Sequence, residues 1–173
     1  MFHREVDGFD DKGSPDCDAA SGRPAITTGL GHFDGKVHVL PLRVYYEDTD
    51  LSGMVYHANY LRYMERGRTE FFRLAGITEM ADLESAEPTA WAIRNVEVAF
   101  HRPARVDDTL HVRTVLTAIS GARLHAHQRI YANEALLSDG RIEACIVTLT
   151  GKPRRMPEKI RDLLMPFLYE TET

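Results

Sequence analysis

The chain has 173 residues, 43% of them apolar and 27% charged, which allows one globular domain with an appendage and excludes collagen-like, wholly disordered and disulfide-scaffold classes. Lys plus Arg number 21 against 26 Asp plus Glu, a net charge of -5, so nothing in the overall charge suits nucleic acid or an anionic membrane. Cys17 and Cys145 stand far apart with no CxxC or Cys/His companion, which fits a reducing cytoplasm better than a disulfide framework or a zinc site.

The first residues lack the basic region and apolar stretch of a secretory signal, and no later window reaches membrane-spanning length. A cytoplasmic protein without membrane insertion is expected. Residues 1–36 hold six of the 12 glycines and seven acidic against four basic side chains, with no apolar period, and read as a flexible acidic tail. Residues 37–173 are then the folded domain, long enough to bury a core. Val37 to Tyr46 is β-branched and aromatic, a strand with Pro41 near an edge. Tyr60, Met64, Gly67, Phe71 and Ala75 then recur at spacings of three and four, which predicts one amphipathic helix, capped by Asn59 and stopped by Gly76.

Strand-like stretches follow at Ala90 to Phe100, Thr109 to Ile119, Arg123 to Ala132 and Ile142 to Leu149, with turn chemistry between them at Pro103 to Asp108, Ser120-Gly121 and Ser138-Asp139-Gly140. Pro157 to Leu168 closes the chain as a short helix. Strand, long helix and four successive strands make an α+β order, with the helix against one face of an antiparallel sheet.

The densest chemical cluster is Tyr45 to Tyr60, between the first strand and the helix. As a calcium loop it offers Asp48, Asp50 and Ser52, but Asn59 stands where a bidentate Glu is required and a strand precedes it. As an aspartyl phosphotransferase of the haloacid dehalogenase type it lacks a parallel α/β core. A third reading sets Asp50 next to a helix N-terminus, whose free N–H groups near His57 polarise a carbonyl and hold an oxyanion, the machinery of acyl transfer. Against all three stands an ordinary capping acid in the loop before a helix.

Leu42 to Phe72, LRVYYEDTDLSGMVYHANYLRYMERGRTEFF, resembles the signature of the hotdog-fold thioesterases of the 4-hydroxybenzoyl-CoA thioesterase superfamily, and most closely the Tol-Pal-associated acyl-CoA thioesterase family. VAFHRPARVDDTL at Val98 to Leu110 and the Lys-Pro-Arg segment from Lys152 are similar to the same family. The resemblance implies a hotdog fold, in which a curved antiparallel sheet wraps a long central helix and two subunits join their sheets, with active sites at the boundary. It implies a homodimer assembling to a homotetramer, and hydrolysis of an acyl-CoA to free CoA and a carboxylic acid. Asp50 falls on the catalytic aspartate, with His57 and Tyr46 as further catalytic positions; Val55, Tyr56, Asn59 and Trp91 are expected at the substrate. No metal or redox cofactor is implied, coenzyme A being part of the substrate, and acyl carrier protein thioesters stay open as a partner. The alternative is a non-catalytic hotdog module binding acyl-CoA or acyl carrier protein, against which Asp50 argues, because an apolar cleft has little use for a carboxylate.

Glu65 is a rival carboxylate, read as an intrahelical ion pair with Arg62 and Arg68. His125 and His127 share a strand face with Arg129 and read as a solvated surface. Trp91 reads first as core. Lys152, Arg154 and Arg155, with Arg102 and Arg105, are either a solvated turn or a contact for the phosphates of coenzyme A.

Overall fold

The computed structural model describes residues 29, 31–77, 81–82 and 87–169. Strands β1 (His32–Asp34), β2 (Val37–Arg43), β3 (Ala81–Asp82), β4 (Thr89–Phe100), β5 (Thr109–Ser120), β6 (Arg123–Ala132) and β7 (Ala135–Thr148) form one sheet in the order β1-β2-β5-β6-β7-β4-β3. Every pairing is antiparallel. Helix α1 (His57–Leu74) lies against one face, and α2 (Glu158–Leu164) with a 3-10 turn at Met165–Phe167 closes the far end. This is the expected α+β hotdog architecture. No helix among the described residues is long and apolar enough to cross a membrane.

The helix forms where the period predicts it. Tyr60, Tyr63, Met64, Gly67, Phe71 and Phe72 bury one face, each large side chain contributing about 1.5–3 kcal/mol. Gly76, at φ 90°, ends it: Ile77 N–H donates to Phe72 O at 2.8 Å and the Ile77 side chain is buried behind it, the left-handed stop with its trailing apolar contact. Pro41 lies beyond the last residue that β1 pairs, where β2 is open on that side and no ladder donor is lost.

Other boundaries differ from expectation. The strand expected to reach Tyr46 stops at Arg43, and Tyr46–Asp48 is a 3-10 turn. Tyr56, not Asn59, occupies the N-cap of α1, because the Asn59 side chain donates instead to the Asp48 carbonyl at 2.8 Å. Ser138-Asp139-Gly140 is no turn but the middle of β7, and the chain reverses at Asn133-Glu134, where Asn133 takes φ 53°. Gly140 is there for room, since an added Cβ would stand 2.7 Å from the Met64 sulfur. The tail expected over residues 1–36 lies outside the described residues except at its end, where β1 pairs with β2.

Gly67 makes a close approach from helix to sheet: a Cβ there would meet Val112 Cγ1 at 2.8 Å and Thr114 Oγ1 at 3.1 Å. Gly67→Ala gains about 1 kcal/mol of helix propensity, but overpacking costs about 1–3 kcal/mol. The variant is expected to be less stable in urea unfolding; equal or higher stability would show that α1 can lift without cost.

Candidate active site

The segment from β2 to α1 is organised by Asp48. Its carboxylate accepts the Tyr45 N–H at 2.9 Å, and its carbonyl accepts the Tyr56 N–H at 2.9 Å as well as the Asn59 side chain. One buried residue thus ties the end of β2 to the first turn of α1. Beneath it the Tyr63 hydroxyl is buried, and burial first, then the Asp48 charge, raises its pKa. Beyond Asp48, the Thr49 to Val55 bridge and the Asp50 N–H to Met54 O bond of 3.0 Å close a tight reversal with Gly53 at φ 72°.

Asp50 stands exposed at this reversal. Its Oδ1 accepts the Ser52 N–H at 2.8 Å and the Ser52 hydroxyl, an Asx turn that also carries a side-chain donor. The Ser52 hydroxyl, then its N–H, and the nearby His57 together outweigh slight desolvation and hold the Asp50 carboxyl below the usual carboxylate range. The adjacent start of α1 has no side-chain cap, and by helix geometry the N–H groups of His57 and Ala58 have no intrahelical acceptor. The exposed carboxylate thus precedes the uncapped helix start by a few residues, near enough to His57 to feel its charge.

His57 is exposed, its ring 4.4 Å from that of Tyr56 and edge-on to Phe100 at 6.4 Å. Tyr46 is 85% exposed, and its hydroxyl makes no hydrogen bond to Asp50. Tyr56 is half exposed, while Val55 is buried in the core with its N–H on Ala104 O at 2.9 Å. Asn59 is buried and structural toward Asp48. Trp91 lies apart from the rest, stacked on Phe72 at 5.2 Å near the opposite end of β4 from Phe100. Sequence reasoning missed Asp48 as the anchor and Ser52 as the partner of Asp50; the Asp-x-Ser spacing was the available signal.

Elsewhere, Arg68 donates to Gln128 Oε1 at 2.7 Å instead of closing an ion pair with Glu65. The expected solvated face at His127 is a partly buried network, with His127 itself buried: Asp139 accepts from His127 at 2.8 Å and from Arg129 at 2.7 Å. Arg154 pairs with Glu87 at the Thr148 end of β7, whereas Arg105 bridges to Met54 beside the Asp50 loop. The basic residues thus form two separate groups within one chain. Among the described residues no group of three or more His, Cys, Asp or Glu is placed to hold a metal ion.

Residues 44–164 match the model of the Thioesterase-like superfamily, and the chain belongs to that family. It is 41% identical over 122 residues to acyl-CoA thioester hydrolase YbgC of Escherichia coli O157:H7, covering 69% of this chain and 90% of that one. Acyl-CoA thioesterase YbgC of Haemophilus influenzae is 36% identical over 122 residues, covering 70% and 89%. Among solved structures, a probable thioesterase from Bartonella henselae superposes with TM-score 0.66 at 40% identity, over 70% of this chain and 99% of that one. The resemblance carried by Leu42 to Phe72 therefore extends over the folded domain.

Burial raises the Asp139 pKa, but hydrogen bonds and charges from His127 and Arg129 outweigh it and bring the carboxyl to about 2. A depressed folded-state pKa contributes stability that is complete above the unfolded carboxylate range and lost as pH falls through the folded value. Asp139→Asn is expected to be less stable than the parent at neutral pH, and the two unfolding curves converge between pH about 4 and about 2. A difference that is constant across that window would remove Asp139 ionisation from the account.

Proposed function

We propose that this protein hydrolyses acyl-CoA thioesters to coenzyme A and a free carboxylic acid, with Asp50 as the reacting carboxylate and the α1 N-terminus as oxyanion holder. The observation that carries the reading is the exposed Asp50 carboxylate, fixed by Ser52 through one oxygen only, in the loop that leads into the uncapped start of α1. The identity to acyl-CoA thioester hydrolases supports the substrate class. Coenzyme A enters as part of the substrate, and the chemistry needs no metal or redox cofactor. Acyl carrier protein thioesters are the second substrate class to test.

The lowered Asp50 pKa keeps the carboxylate ionised at neutral pH and weakens it as a base, which favours nucleophilic attack over activation of water. Asp50 Oδ2 bonds to the thioester carbonyl carbon and the carbon–sulfur bond breaks, giving a mixed anhydride and the coenzyme A thiolate. Negative charge on the carbonyl oxygen is held by the His57 and Ala58 N–H groups. Water then cleaves the anhydride, returns Asp50 as carboxylate, releases the acid and supplies one proton to the thiolate. His57, next to this surface, orients substrate or leaving group, and Tyr56 and the exposed Tyr46 flank it.

The same reading places a second copy along β4. Strand β3 pairs only with Thr89 and Ala90, so among the described residues the rest of that edge is open, and Ile93, Val96 and Phe100 are exposed along it. An unpaired apolar edge is a template for a further strand. Antiparallel pairing of two copies about the middle of β4 would set the Trp91 end of one strand beside the Phe100 end of the other, which would complete the site with Trp91 and make the unit a homodimer; the tetramer would then be two such dimers.

Thiol release from short, long and aromatic acyl-CoA substrates is expected for the parent protein. Asp50→Ala should lower kcat/KM at least about a hundredfold, a loss of about 2.7 kcal/mol of transition-state stabilisation. No release from any CoA or acyl carrier protein thioester would favour a binding module instead. Sedimentation should give a mass that is a multiple of the 19.6 kDa chain; a monomer at assay concentration would overturn the β4 pairing.

A further inference from the structure

We infer that Ser52 is a positioning residue for the hydrolysis, singling out Oδ2 of Asp50 as the reacting oxygen by holding Oδ1 in place. The inference rests on Asp50 being the reacting carboxylate. Ser52 donates twice to the same oxygen, through its backbone N–H at 2.8 Å and through its hydroxyl. The direction of the hydroxyl bond is fixed from the other side, because Ser52 Oγ accepts the Met54 N–H at 3.3 Å and an ionised carboxylate can only accept. A short relay therefore runs from the Met54 N–H through the Ser52 hydroxyl to Asp50 Oδ1.

Its consequence is geometric. A carboxylate on an exposed reversal is free to rotate about its terminal torsion and to present either oxygen. With Oδ1 occupied by two donors, rotation costs two hydrogen bonds, one of them from a side chain to a charged acceptor. The oxygen with no donor from its own loop is then the one that faces substrate. Reacting groups gain rate when they are held in the attack geometry before the substrate arrives. A second consequence concerns charge: the hydroxyl is the leading cause of the lowered Asp50 pKa, so its removal moves the ionisation of Asp50 to higher pH.

The backbone N–H survives in both variants, so Ser52→Ala deletes only the hydroxyl and Ser52→Thr retains it. With the full-length chain and an acyl-CoA found active in the thiol-release assay, Ser52→Ala is expected to lower kcat about tenfold with KM within about twofold. The acid limb of its kcat/KM profile should move to higher pH, since the active form is the ionised carboxylate, and Ser52→Thr should restore both properties. Asp50→Ala, run in parallel, separates the two readings. Full activity and an unmoved acid limb in Ser52→Ala, with Asp50→Ala inactive, overturn the role of Ser52 and leave Asp50 standing. A loss in Ser52→Ala that Ser52→Thr does not restore, with the acid limb in place, also overturns it and marks Ser52 as a loop-folding residue. Activity persisting in Asp50→Ala removes the reading on which both depend.

Discussion

The backbone of α1 approaches β5 and β6 so closely at Gly67 that an added Cβ would force Val112 to shift, and the Met64 sulfur lies over β7 where Gly140 leaves room for it. These two absences of side chain set the depth at which the helix sits in the curved sheet. Gln128 fills the polar remainder, donating to the Met64 carbonyl at 2.8 Å and to Thr114 at 2.9 Å while accepting from Arg68. A buried amide left unpaired would cost about 1–3 kcal/mol, so this closely fitted interface tolerates little sliding of the helix along the sheet.

A helix fixed in depth and register gives its first turn a fixed position, and that is where chemistry is concentrated. Asp48 carries the constraint from core to surface, joining Tyr45 at the end of the first strand region to Tyr56 and Asn59 at the helix start. Tyr60 adds a second tie, its buried hydroxyl accepting the Ala104 N–H at 2.8 Å, which draws the segment between β4 and β5 against α1. Asp50 can be exposed and still be placed, because the residues on both sides of its reversal are bonded to buried elements.

The parts of this arrangement that follow from local chemistry were readable in the sequence. The helical period, the Gly76 stop and the succession of strands all survive because each expresses a short-range preference that tertiary contacts reinforce. Ser138-Asp139-Gly140 misled because its turn-like composition serves other ends: room for Met64 at Gly140 and an acceptor for His127 and Arg129 at Asp139. Asn59 misled in the same way, as its amide is used across the loop and not at the cap. In the site, the Asp-Thr-Asp run drew attention to Asp50, but the division of labour between the buried Asp48 and the exposed Asp50 depends on which carboxylate faces the core. No spacing rule shows that. Trp91 is distant from Asp50 along β4 in one chain, and its relation to the site turns on how two chains meet.

Hydrolysis by this route requires Asp50 itself to bond to the acyl group. The most direct measurement is rapid-quench mass spectrometry of a single turnover, enzyme in excess over acyl-CoA, in heavy-oxygen water. A transient acyl mass on the peptide carrying Asp50 is expected, with heavy oxygen retained in that residue wherever water opens the anhydride at the Asp50 carboxyl carbon. Heavy oxygen entering only the product acid, with no acyl mass on that peptide at any quench time, would contradict it and assign Asp50 to activation of water.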